Sequence, residues 1–189
     1  MKLILPCLGI AILLSLTISC GGSPPKATVQ EVKPQDTRQL LWDKARVGMT
    51  PDEVNAAIAG VSGDREKVKR SDGTEILLTK RGIIAGRLTL AADFRFDAGK
   101  LVGVSVSLVD PTAKDTASAV WSELLNALSL KHGKPVWVEK ERVLIVNLQR
   151  ALFVADGKTI SLFGVFQDDK EAIIRIEYEA ANKTLVDVL

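Results

Sequence analysis

Cysteine and histidine are almost missing from this chain. Its 189 residues hold two cysteines, Cys7 and Cys20, and one histidine, His132. Cys7 falls inside an apolar N-terminal run that reads as a removable targeting segment, so the mature chain keeps Cys20 alone. One cysteine makes no internal disulfide and no cysteine metal site, and stability must come from an ordinary core. A single histidine leaves no Ser-His-Asp triad unless His132 is the base. His132 sits at an expected helix C-terminus, where the helix dipole favours a cation and a capping role is the simpler reading. No glycine-rich loop follows a strand and opens a helix. Asp168 and Asp169 are adjacent acids in an expected turn, without the further oxygens of a calcium loop. No catalytic residue, metal site or cofactor is therefore assigned.

Strong charge of one sign is also lacking. Removing residues 1–19 takes away Lys2 and no acid, leaving 24 basic against 23 acidic side chains. That near-balance argues against a nucleic-acid partner, which calls for a clustered basic face.

What is present begins at the N-terminus. Lys2 precedes the apolar run Leu3–Ile18, which ends at Thr17-Ile18-Ser19-Cys20-Gly21-Gly22-Ser23. The run is short for a membrane span and has the build of a signal peptide. Its end resembles the bacterial lipobox, which implies lipidation of Cys20. Residue 17 is threonine where leucine is usual. Glycine rather than aspartate after the cysteine resembles the outer-membrane sorting pattern of some Gram-negative bacteria. The expected organisation is a signal peptide at 1–19, a flexible Gly/Ser/Pro-rich tether at 20–36, a domain at 37–180 and a tail at 181–189.

Arg46-Val47-Gly48-Met49-Thr50-Pro51-Asp52-Glu53-Val54 carries four helix-start signals. Thr50 is a good N-cap and Glu53 completes a capping box. Pro51 suits the first helical position. Met49 and Val54 have the spacing of a hydrophobic staple. This helix is expected to reach Ala59, burying Val54, Ala57 and Ile58, and to stop at Gly60. Residues 37–47 read as a short helix and 61–73 as a loop. A longer helix is expected over 114–132, striped by Ala117, Val120, Trp121, Leu124, Leu125 and Leu128. Trp42, Trp121 and Trp137 read as core.

Strands are expected over 75–80, 88–96 and 102–108, then at 136–138, 143–148, 151–154, 159–166 and 172–178. A shift of 70 residues aligns the strand regions without a gap. It sets Ile76 on Val146, Leu78 on Leu148, Thr89 on Thr159, Phe96 on Phe166, Lys100 on Lys170 and Val106 on Ile176. The fold class expected from this is α+β: two tandem helix-plus-antiparallel-strand units, about 37–110 and 111–180, forming one sheet with helices packed on one face.

Val47-Gly48-Met49-Thr50-Pro51-Asp52-Glu53-Val54, with a glycine-ended helix and antiparallel strands after it, resembles the BamE (SmpA/OmlA) family of outer-membrane lipoproteins. The tandem arrangement is also similar to the β-lactamase inhibitory protein. The resemblance implies a non-catalytic protein of the bacterial cell envelope, facing the periplasm, that binds other proteins. Three functional classes stay open. One is a lipid-anchored interaction module in outer-membrane assembly or maintenance. Another is an inhibitor of a periplasmic or secreted hydrolase. The third is a sensor or carrier of a small apolar ligand.

The strand phases place Leu90, Phe96, Val104, Val106, Ile160, Leu162, Phe166, Ile174 and Ile176 toward the helices. The opposite face is polar in the first half, with Thr89, Asp93, Arg95, Ser105 and Ser107. In the second half it carries Phe163, Val165 and Ile173, which makes these three the candidate partner-binding residues. The apolar tail Leu185–Leu189 is the alternative cover for them.

Overall fold

The computed structural model describes residues 36–109, 114–167 and 171–181. Cys20, the signal and tether segments, the acids 168–169 and the tail 182–189 lie outside the described residues. The chain order is β1 (Leu40–Trp42), β2 (Ala45–Arg46), α1 (Pro51–Ala57), β3 (Val61–Lys69), β4 (Glu75–Ala85), β5 (Leu88–Asp97) and β6 (Lys100–Leu108). It continues with α2 (Lys114–His132), β7 (Trp137–Val143), β8 (Val146–Ala155), β9 (Lys158–Gln167) and β10 (Ile173–Ala180).

The expected α+β architecture is overturned. Among the described residues 57% lie in strands and 18% in helices, and the fold is a β-rich antiparallel sheet. Eight strands form it, in the order β3-β4-β5-β6-β10-β9-β8-β7. Two segments account for much of the difference. Residues 37–47 form no helix: β1 and β2 make a small hairpin turned at Asp43, whose φ is 51°. Leu41 and Ala45 are buried in either form, so their spacing could not choose between them. Residues 61–69 are strand β3 rather than loop, paired to β4 from Val61 opposite Lys80 to Lys69 opposite Glu75.

α1 starts at the capping box. The Glu53 N–H donates to Thr50 Oγ1 at 3.3 Å, and the Thr50 N–H donates to Glu53 Oε2 at 2.7 Å. Pro51 opens the helix, which ends at Ala57, two residues short of the expected end. Val54 and Ile58 are buried. The Leu101 N–H and the Met49 carbonyl bond at 2.8 Å, and the Gly48 N–H returns a bond to the Leu101 carbonyl. This ties the entry to α1 onto the sheet. Trp42 meets Phe94 edge-on at 6.0 Å, so the β1–β2 hairpin covers part of the sheet that a helix was expected to cover.

α2 lies against β8 and β9. Its Trp121 is buried, and Gly164 of β9 makes room for it: a Cβ at Gly164 would stand 2.8 Å from Trp121 Cδ1. The core joins the apolar side chains of α1, β1 and α2 to one face of β5, β6, β10 and β9. Burying these large side chains is the main favourable term for a domain of this size.

Two hairpin turns have positive φ at both central residues, at Ala98-Gly99 and at Asp156-Gly157. Such mirror-image turns match the twist of the strands they join. β7 and β8 are joined through Leu144-Ile145, with Leu144 at φ 56°. No turn-forming residue marks that hairpin, and the expected breaks between residues 138 and 143 and between 148 and 151 do not occur.

Candidate functional site: the outer face of β7–β10

Pairing registers fix which side chains share the face turned away from the core. Val165 stands opposite Leu148 on β8 and opposite Ile173 on β10. These three form an apolar row across three strands. Phe163, two residues along β9, stands between Arg150 and Arg175. The three residues picked out by sequence, Phe163, Val165 and Ile173, are therefore brought together on one face. Ile173 is 53% exposed, while Phe163 and Val165 are half-buried.

Sequence reading missed the rest of the patch. Val146 stands opposite Val143 and Leu152 opposite Trp137 on the same face. Trp137, expected in the core, is 40% exposed at the edge strand β7. The 70-residue shift had set Leu148 on Leu78, which is buried. Leu148 points the other way because β4 gains a residue between Lys80 and Ile83 that β8 lacks. A one-residue slip moves every later side chain to the opposite face. Gly82 sits inside that bulge at φ 68°, a conformation glycine takes without strain. The counterpart in β8 is Leu152, which keeps a regular strand. Gly82 was thus the available signal.

The patch has a defined electrostatic border. The Arg150 guanidinium lies over the Phe163 ring at 5.5 Å, a cation–π contact, and is 3.8 Å from Glu139. Arg175 lies 3.7 Å from Glu177. The centre of the surface is apolar, and its charges are paired at one side. A recess of about 190 Å³ between the ends of β6 and β10 adjoins Ile173.

The same face in the first half is partly covered. It is polar as expected, but of the five residues expected to be open there Arg95 and Ser105 are buried and Thr89, Asp93 and Ser107 half-buried, with Thr79 buried beside them. The β3–β4 hairpin curls over it: Arg70 reaches Glu177 at 3.5 Å, and Asp72 reaches Arg95 at 3.6 Å. Arg95 also pairs with Glu179, and Thr79 donates to Asp93 at 2.9 Å. Polar groups out of water need such partners. The polar face of the first half is tied up in pairs within the protein, partly with Glu177 and Glu179 of β10, and the second half presents an apolar face.

His132 ends α2, and burial lowers its pKa from the usual value. Among the described residues no group of three or more His, Cys, Asp or Glu is placed to hold a metal ion. No described helix is long and apolar enough to cross a membrane. No protein-family model matches the chain, nor does any curated protein or any solved structure.

Proposed function

We propose that this chain is a lipid-anchored envelope protein, held by Cys20, that acts as a non-catalytic interaction module. It binds a protein partner through the outer face of β8–β10. The observation that carries the reading is the row Leu148–Val165–Ile173 beside Phe163, an apolar surface on a sheet whose other half has a polar, partly covered equivalent face. Contiguous exposed apolar patches rimmed by polar groups mark contact surfaces on soluble domains. The partner surface that fits offers an apolar anchor and a few acceptors for Arg150 and Arg175. The BamE-like stretch at Val47–Val54 suggests outer-membrane assembly or maintenance as the setting.

Site-specific photo-cross-linking in intact cells tests this. A photoreactive residue at Ile173 is expected to capture a discrete envelope protein. The same probe at Leu130, exposed on α2, is expected to capture none. Equal labelling from both positions would contradict a localised face. A hydrolase as the captured partner would move the reading to inhibition.

A further inference from the structure

A second feature lies at the opposite end of the strands, on the covered side of the sheet. The end of β1, the last turn of α2 and the paired ends of β9 and β10 enclose a pocket of about 260 Å³. Lys131 and His132 reach it from α2, Lys158 from β9 and Tyr178 from β10, with Asp156 at its rim.

Lys158 is the unusual member. It occupies a core-facing position of β9, in phase with Ile160 and Leu162, and is only 6% exposed. Lysine is among the residues least often buried without a partner. Among the described residues its ammonium makes no ion pair and no side-chain hydrogen bond. Burial lowers its pKa; Asp156 opposes that shift and Lys131 adds to it. His132 Nε2 is shielded from solvent and also has no hydrogen-bond partner. Tyr178, its hydroxyl pushed up to about 12 by burial, stays protonated and can donate.

A structural explanation covers part of this cluster. Lys131 and His132 lie in the last turn of α2, where cations offset the negative end of the helix dipole. That account does not extend to Lys158, which comes from a strand. Of the two nearby carboxylates, Asp43 leans toward Lys80 at 3.9 Å. Asp156 is then the one lining carboxylate left to face Lys131 and Lys158, and it makes no ion pair with either among the described residues. A largely buried lysine that makes no ion pair is costly, and a bound anion lowers that cost.

We propose that this pocket binds a compact oxyanion, a carboxylate or phosphate group, with Lys158 as the charged donor and His132 and Tyr178 as further donors. Leu40, Leu41 and Trp42 form one wall, so the ligand carries no more than a small apolar group.

The test titrates the full-length protein with inorganic phosphate and, separately, with acetate, at constant ionic strength set by chloride. Binding is followed by NMR at His132 and Tyr178. Saturable shifts with phosphate alone assign a phosphate-bearing ligand. Saturation with acetate alone assigns a carboxylate, and saturation with both assigns the oxyanion site itself. Lys158→Met keeps the aliphatic stem and is expected to weaken binding about tenfold or more, as for a lost charged hydrogen bond. Saturation is also expected to raise the titration midpoint of His132 in the wild-type protein, a readout that stands if Lys158→Met fails to fold. No saturable response to either anion overturns the proposal, as does unchanged affinity in Lys158→Met. A His132 midpoint that stays fixed on saturation overturns it too.

Discussion

Val106 and Ile176, seventy residues apart in sequence, face each other across the β6–β10 pairing at the centre of the sheet. The pairs beside them follow the same spacing. Phe94 pairs with Val104 and Gly164 with Ile174; Leu90 pairs with Leu108 and Ile160 with Tyr178. The β5–β6 and β9–β10 hairpins thus share one register, and the two halves meet back to back near Val106 and Ile176. The helices do not follow this spacing: α1 has seven residues and α2 has nineteen. The structural asymmetry lies in the outer strands, where Gly82 sits in a bulge of β4 and no bulge breaks β8.

The partly covered face of the first half includes a close contact between strands. Gly103 stands opposite Arg95, and a Cβ there would lie 2.9 Å from the guanidinium carbon. Gly103→Ala is expected to cost about 1–3 kcal/mol, the usual range for overpacking. The penalty should shrink in an Arg95→Ala background, so a double-mutant cycle in denaturant melts should be non-additive. Additive effects would show that Arg95 does not rest on Gly103.

The start of α1 was legible in the sequence because every part of a capping box lies within four residues. Thr50→Ala is expected to cost about 1 kcal/mol. Glu53 also takes hydrogen bonds from Arg38, which together with Thr50 hold its carboxyl down to about 2. Arg38 holds Asp36 down to about 2 as well. Both folded-state values lie below the unfolded ones. Their contribution is therefore present above the ordinary carboxylate range and is lost as pH falls toward 2. NMR titration should show both midpoints returning toward ordinary values in Arg38→Gln. Unmoved midpoints would remove Arg38 as the cause.

Other features were less legible. Period-two alternation phases β5 and β6 cleanly, because each has one apolar and one mainly polar face, and in β9 and β10 the buried series Ile160-Leu162 and Ile174-Ile176 keeps the phase although Phe163, Val165 and Ile173 lie on the other side. Leu41, Trp42 and Ala45 fit a helical turn and a tight hairpin equally well, and tertiary packing on Phe94 decided for the hairpin. β8 was broken in the reading at Gln149 and Arg150, polar residues that the strand carries through. With β8 broken, Leu148 and Leu152 could not be added to the face that holds Phe163.

Membrane anchoring is tested at Cys20. Cys20→Ser is expected to leave an unprocessed or soluble protein, seen by mass spectrometry of membrane and soluble fractions. Partition into membranes at the same processed mass as wild type would contradict lipidation at this residue.

The central claim is that the outer face of β8–β10 serves binding more than stability. Phe163→Ser combined with Val165→Ser tests it, with partner capture and unfolding measured on the same preparation. The account predicts loss of capture at an essentially wild-type melting temperature. A fall in stability of about 2 kcal/mol or more, the size expected for loss of buried apolar groups, would contradict it and make these residues core.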